Sequence, residues 1–244
     1  MHAMGAAHKD HEKPLLALWL AALSGLVDVI CLTRFHGFAA LQTGNMIHIG
    51  VAFGHINRAE ELGVIGFSLA VLASHFMAVF LFNAAVEFCT RPVLLAAPVI
   101  GSLTALAGLL DAFTDGGCKW AVCLVAASFG AMNFITSPNT PLEGRLFTMV
   151  SLATGNLQKS AKLLYRAMRC HAFSEAEALA AQIAAMVVLG TVAGAVLGGV
   201  ALALHVDISL LLAPAGAGQC AALLWHDHLL RPRHTQSRSL SLSR

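Results

Sequence analysis

The composition of this 244-residue chain excludes an ordinary soluble domain. Hydrophobic residues make up 57% of the sequence and charged residues 11%, whereas a soluble domain has about 25% charged residues. The net charge of +2 is too small to indicate binding to nucleic acid. Since a helical crossing takes about 20 residues, the length suits about six to eight spans in a lipid bilayer.

Apolar runs predict the elements in chain order. Six long spans are expected, at 14–33, 62–88, 93–112, 119–136, 176–204 and 208–229. Two shorter elements interrupt the series, at 41–54 and 146–168. The polar N-terminus, 1–13, and the basic tail, 230–244, are expected to be disordered, which leaves a transmembrane domain over 14–229.

The two halves of this domain, about 14–113 and 118–229, resemble each other. Gly25-x-x-Asp28 aligns with Gly130-x-x-Asn133, and a T-G-N triplet follows in each half, at 43–45 and at 154–156. In both halves the order is span, short T-G-N element, span, span. We interpret this order as an internal repeat; a coincidence between apolar runs is the alternative.

The span count depends on the T-G-N elements. If each enters the bilayer as a half-helix and returns, the chain has six spans and the second half is inverted; if each crosses, it has eight spans and a parallel repeat. Both arrangements place twelve basic residues on the side of the termini and three on the other. The distribution of positive charge therefore predicts cytoplasmic termini without choosing the count. The short, polar triplets favour an all-α membrane protein of six long helices and two half-helices.

Asp28 is the most informative single residue, because it lies within an apolar run. A charged side chain at the centre of a bilayer costs about 2.5–3.5 kcal/mol on insertion scales and usually faces inward towards a partner. Arg34, His48 and the Asn45 amide are the candidate partners. The equivalent residue of the second half is the neutral Asn133. In the alternative interpretation, Asp28 simply reaches water at the headgroups.

The T-G-N triplets supply a flexible backbone position and polar side chains at membrane depth. Such groups either line a ligand site at the end of a broken helix or hold neighbouring helices together by hydrogen bonds. The candidate substrate or ion site comprises Asp28, Gln42, Thr43, Gly44, Asn45, His48, Asn133, Thr154, Gly155 and Asn156.

A stripe of glycines recurs every four residues in the span at 176–204. Gly190, Gly194 and Gly198 lie on one face of a helix, which allows another backbone to approach closely. We predict that this stripe packs inside the monomer. A homodimer interface is the alternative.

The motif set resembles the YoaK family of small bacterial multi-pass membrane proteins. The similarity rests on Gly25-x-x-Asp28, Gln42-Thr43-Gly44-Asn45 and Thr154-Gly155-Asn156-Leu157 before a basic stretch, and it spans 14–229. It implies an inner-membrane protein with about six spans and no established substrate, reaction or catalytic residue. The family's G-x-F segment is only loosely matched by Gly37-Phe38-Ala39.

Three functions are compatible with these features. The first is a secondary transporter or permease for a small molecule or ion, with Asp28 and the triplets at its site. The second is an accessory membrane protein that binds a partner through the glycine stripe and its basic segments. The third, an intramembrane enzyme using Asp28 and His48, has the least support, because no enzyme motif accompanies these residues. We expect no metal or cofactor, and the lipid bilayer as the main partner.

Overall fold

The computed structural model describes residues 12–55, 59–114, 118–137, 153–169 and 173–230. Within these ranges the chain is helical and contains no strand. The helices are α1 (Lys13–Phe35), α2 (Gln42–Phe53), α3 (Ala59–Phe88), α4 (Pro92–Phe113), α5 (Val122–Thr136), α6 (Ala153–Met168), α7 (Glu175–Ala203) and α8 (Leu212–Leu230). Short 3-10 turns, Lys119–Ala121 and Ile208–Leu211, lead into α5 and α8. The all-α prediction is confirmed.

Five of the described helices are long and apolar enough to cross a membrane. They are α1, α4, α7, the segment Glu60–Phe88 of α3, and Lys119–Thr136, which joins a 3-10 turn to α5. The chain is therefore a multi-pass membrane protein. The sixth predicted span, α8, is not among the five; it has 19 residues and carries Gln219, His226 and Asp227.

The helix bounds agree with the predicted runs to within a few residues, with two differences. Helix α1 already begins at Lys13, which was expected to lie in a disordered N-terminus. Helix α6 begins at Ala153, and the first part of the predicted element, 146–152, lies outside the described residues. Of the predicted disordered ends, 1–13 and 230–244, the residues 1–11 and 231–244 also lie outside them.

Helices α1 and α7 pack closely and run in the same direction. An added Cβ at Gly190 or Gly194 would collide with the Leu18 or Ala22 carbonyl oxygen of α1. Four residues further along, Gly198 faces Val29. Glycine at each position removes the Cβ that would hold the backbones apart. The glycine stripe therefore lies against α1 of the same chain.

Helices α3 and α5 form a second parallel pair with different contacts. Gly130 of α5 lies against the His75 carbonyl, where a Cβ would collide. Further along, the rings of Phe82 and Phe134 meet edge to face, with centroids 5.9 Å apart. Side chains rather than a row of glycines therefore set most of the spacing between these helices.

Helices α4 and α8 pack against each other and run in opposite directions. Gly101 and Gly216 lie against each other's carbonyl oxygens. A buried hydrogen bond of 2.7 Å joins the Thr104 hydroxyl to the Gln219 side-chain carbonyl, and Ser128 of α5 lies 2.9 Å from the same hydroxyl. These hydrogen bonds connect α4, α5 and α8 through a small polar cluster in an otherwise apolar core.

One ion pair lies at each end of the α4–α8 pair. At one end, Arg34 donates to the fully buried Asp111 carboxylate at 2.7 Å, and the Ser209 hydroxyl donates to the same oxygen. At the other end, Arg91 donates to Asp227 at 2.6 Å. Because Arg34 and Asp111 lie near the last residues of α1 and α4, these two helices run in the same direction.

Candidate functional site

The chain reverses direction after α1 and returns alongside it. His36 caps α1 in the left-handed conformation, with φ 57°, and the following residues, 37–41, run back towards α1. The Asp28 carboxylate then accepts hydrogen bonds from the backbone N–H groups of Ala39 (3.0 Å) and Ala40 (2.8 Å). We call residues 36–41 the return segment.

Asp28 therefore anchors non-helical backbone within an apolar protein. Backbone N–H groups that leave a helix at membrane depth need partners from side chains, and a carboxylate is a strong acceptor for two of them. None of the three predicted partners makes the observed bonds: Arg34 binds Asp111 instead. The sequence pattern identified a buried carboxylate without identifying what it binds.

Asn45 holds the other side of the return segment. Its Nδ2–H group donates to the Phe38 carbonyl at 2.7 Å and to the Gln42 Oε1 atom at 2.9 Å, while its Oδ1 atom accepts from the Phe38 N–H at 3.0 Å. The side chain is fully buried. The two bonds to Phe38 fix the return segment to the first turn of α2, and the bond to Gln42 braces that turn.

Gly44 is required by the packing of one ring. A Cβ at this position would collide with the side chain of Phe38, so only glycine lets that ring lie against α2. The Phe38 ring also contacts the ring of His48, with centroids 5.9 Å apart. Three residues of the predicted site, Gly44, Asn45 and His48, thus pack or bind around Phe38.

The start of α2 lies beside the middle of α3. Gln42 donates its Nε2–H to the Ala39 carbonyl at 2.7 Å and lies 3.2 Å from Nδ1 of His75, which is near the midpoint of the 30-residue α3. Thr43 is exposed. Gln42, Thr43 and His75 therefore present an amide, a hydroxyl and an imidazole at the depth where α2 begins.

The second T-G-N element lies against a different helix. Leu157 and Leu164 of α6 share an apolar cavity with Ala181 and Ala185 of α7, and Arg166 forms an ion pair with Glu177. Helix α6 therefore begins about halfway along α7 and ends at its start, as α2 does along α3. Within this element, Asn156 is buried, whereas Thr154 and Gly155 are exposed. Asn133 of α5 is also buried.

A helix that begins within the protein interior offers its first N–H groups and the positive end of its dipole to polar ligands. At α2 these groups adjoin Gln42 and His75, and the surrounding backbone is held in place by Asp28 and Asn45. The arrangement can bind and orient a small polar group.

Several residues of this region were not in the predicted site. His75 supplies the side chain that faces Gln42, and Phe38 is the ring around which the triplet packs. His75 lies in an apolar run without a motif, and Phe38 belongs to the Gly37-Phe38-Ala39 segment between two predicted elements. Only the three-dimensional arrangement brings them to the triplet.

Over the described residues, the fold defines an all-helical, multi-pass membrane protein in which a short helix, α2, stands between two long apolar helices. The family model described as "Protein of unknown function (DUF1275)" matches residues 16–224. The chain therefore belongs to this family. No curated protein and no solved structure matches the chain.

Proposed function

We propose that this protein is a secondary transporter or permease for a small polar solute or ion, located in the inner membrane. The observation that carries the proposal is the position of the α2 start: Gln42 and His75 meet beside the middle of α3. Placing open backbone and polar side chains at this depth is costly in a bilayer. A binding site for a polar ligand accounts for that cost.

We further propose six crossings in two inverted halves, with α1, α3, α4, α5, α7 and α8 as the spans. The contacts support this: α1 packs against α7 as α5 packs against α3, and α2 lies on α3 as α6 lies on α7. Gly25 and Gly130, which align in the two halves, each face a carbonyl of the partner helix, at Thr191 and His75. Such exchange of contacts is typical of inverted-repeat transporters.

The side of the membrane follows from basic residues. Lys13 and Arg91 lie at the end of the bundle where α1 and α4 begin, and Arg34 and Lys119 lie at the opposite end. With cytoplasmic termini, six crossings place Arg91 inside and Arg58 outside. Cysteines substituted at 58 and 91 and labelled from each side of the membrane test this; external labelling of position 91 rather than 58 would contradict it.

The roles of the site residues differ. Asp28 and Asn45 maintain the return segment, and Gln42, Thr43 and His75 contact the solute. Thr154, Gly155 and Asn156, with Asn133, form the equivalent region of the second half. Because Asn133 stands where the first half has Asp28, an amide is expected to keep part of the function of that carboxylate.

Transport by reconstituted protein tests the assignment. Solutes and ions are first screened for a shift in melting temperature, and the best ligand is then followed in liposomes. We expect Gln42→Ala to lower the rate at least about tenfold, the equivalent of about 1.4 kcal/mol of binding. Because Gln42 also bonds Ala39 and Asn45, its melting temperature should fall, but less than that of Asn45→Ala. Thr33→Ala, whose hydroxyl binds only its own helix, is the control.

Asp28→Asn and Asn45→Ala test the supporting network. Asn retains an oxygen acceptor for the Ala39 and Ala40 N–H groups, so Asp28→Asn should fold. If both variants left the transport of every solute unchanged, the proposal would be wrong.

The two other functions are less well supported. The glycine stripe contacts α1 of the same chain, so it no longer motivates a partner or a homodimer. The Asp28 carboxylate accepts two backbone hydrogen bonds and His48 packs on Phe38, an arrangement that offers no pair of groups for catalysis.

A further inference from the structure

A large apolar cavity lies between α3 and α4, with α5 as its floor. Its volume is about 680 Å³. Although α3 and α4 are consecutive, they make few contacts with each other, and the cavity fills the space between them. It is separate from the region around Gln42, so it requires its own explanation.

The cavity walls exclude a polar ligand. Apart from Ser74, Cys89 and Cys123, every lining residue is apolar. The Ser74 hydroxyl already donates to the Ala70 carbonyl at 2.8 Å. Burial of a polar solute would leave its hydrogen-bonding groups without partners. The occupant must therefore be hydrocarbon over most of its length.

The cavity opens sideways onto the surface that faces lipid. Its rim includes Met77 and Leu81 of α3 and Leu95 and Val99 of α4, all at least half exposed. Hydrocarbon from the bilayer can enter here without passing through water. A mouth on this surface favours a membrane lipid over a water-soluble ligand.

The length of the cavity matches one leaflet. Its α4 wall extends from Pro92 to Leu103, which at about 1.5 Å per residue is about 16 Å. Half of a hydrocarbon core of about 30 Å is close to this value. A single acyl chain lying along the helices has the appropriate shape.

A cation lies at the end of the cavity where the chain turns from α3 to α4. In the sequence, Arg91 stands between the lining residues Cys89 and Pro92, although it is not itself part of the lining. Its side chain is 42% exposed and donates through Nη2 to Asp227 of α8. A guanidinium has five N–H donors and binds phosphate well. Its position complements the phosphate of a lipid whose chain occupies the cavity.

From this geometry we propose that the α3–α4–α5 cavity is a phospholipid site, with one acyl chain along α3 and α4 and the lipid phosphate at Arg91. The site is independent of solute transport. The probe is phosphatidylglycerol added to delipidated protein in a mild detergent, with bound lipid counted by native mass spectrometry.

Filling the cavity should remove the lipid. Ala96 lines the cavity and is half-buried, so Ala96→Phe places a ring where the chain would lie; we expect affinity to fall at least about tenfold. Ala193→Phe makes the same change on an exposed face of α7 and should bind as the wild type does. Equal binding by the Ala96→Phe protein would overturn the proposal.

The proposed contact between the lipid phosphate and Arg91 is tested with a second lipid. Diacylglycerol has the same chains without the phosphate, and the wild type should bind it several-fold more weakly. The double variant Arg91→Gln/Asp227→Asn removes the cation without leaving its carboxylate partner charged, and it should bind both lipids equally. Lys119→Gln, at the opposite end of the bundle, should keep the preference. A wild type that does not distinguish the two lipids would overturn the role of Arg91.

A measurement on the unaltered protein guards against misfolded variants. Phosphatidylglycerol with a photoreactive diazirine on its acyl chain should label peptides from the facing walls of α3, α4 and α5. Label spread evenly over all lipid-facing helices would show ordinary solvation by the bilayer and overturn the proposal.

Discussion

Two parallel helix pairs, α1 with α7 and α3 with α5, are held together by different kinds of contact. Helix α7 presents Gly190, Gly194 and Gly198 to α1, so the two backbones touch. Helix α3 presents Phe82 to Phe134 of α5 and touches its backbone at Gly130. A cavity of about 680 Å³ remains beside the second pair.

The difference shows how packing distributes rigidity in this fold. Between helices in lipid, close van der Waals contact provides most of the association energy, because apolar burial alone gives little. The glycine-lined pair gains this contact at successive turns from Gly190 to Gly198, whereas the α3–α5 pair gains it at fewer places. We interpret α1–α7 as the fixed part of the molecule. The α3 side, which carries the start of α2, has room to adjust.

The largest expected effect comes from adding a methyl group between α1 and α7, the closely packed pair. Gly194→Ala places a methyl group against the Ala22 carbonyl oxygen, which belongs to the backbone and has no space to move. We expect a loss of about 3 kcal/mol or more in unfolding free energy, the upper range for overpacking, measured by titration with a denaturing detergent.

Gly199→Ala is the matched control on the same helix. An added Cβ there meets nothing within 4 Å, and alanine is favoured over glycine in a helix by about 1 kcal/mol. The control should be neutral or slightly stabilising. If both variants lost the same stability, the close contact between α1 and α7 would be contradicted.

A smaller loss is expected in the second pair. Gly130→Ala directs its methyl group at the His75 carbonyl, but α3 can shift towards the neighbouring cavity. We expect about 1–2 kcal/mol, measured in the same titration. Gly66→Ala, an exposed position on α3 with no atom within 4 Å of the added Cβ, is the control. A loss as large as that of Gly194→Ala would mean that the two pairs are equally rigid.

The sequence predicted the features that depend on composition and local spacing. Apolar runs located the helices, because hydrocarbon surroundings select apolar side chains over the length of a span. The four-residue spacing of Gly190, Gly194 and Gly198 predicted a helix contact, because residues so spaced share one face. Asp28 and Asn45 are predicted to face the protein interior because a polar side chain in contact with lipid is costly.

The partners of those polar groups could not be predicted in the same way. Asp28 binds the backbone of Ala39 and Ala40, and any residue type can supply a backbone N–H. Arg34 is one of three partners that the sequence suggests for Asp28, but it binds Asp111, 77 residues away. Such pairings depend on which helices become neighbours, and the apolar pattern of the long helices α3 and α7 is nearly uniform around their axes.

The smallest expected effect is a difference in chemical modification between two cysteines, one in each helix pair. Cys31 of α1 is fully buried, whereas Cys123 of α5 is half-buried and lines the cavity. A small apolar maleimide in detergent should modify Cys123 and leave Cys31 unmodified. Peptide mass mapping separates these two from Cys89, Cys118, Cys170 and Cys220. After unfolding in a denaturing detergent, both should react, which shows that Cys31 is protected by packing. Equal modification of the two cysteines in the folded protein would mean that the reagent enters both helix pairs alike. That result would contradict the interpretation of α1–α7 as fixed and of the α3 side as able to adjust.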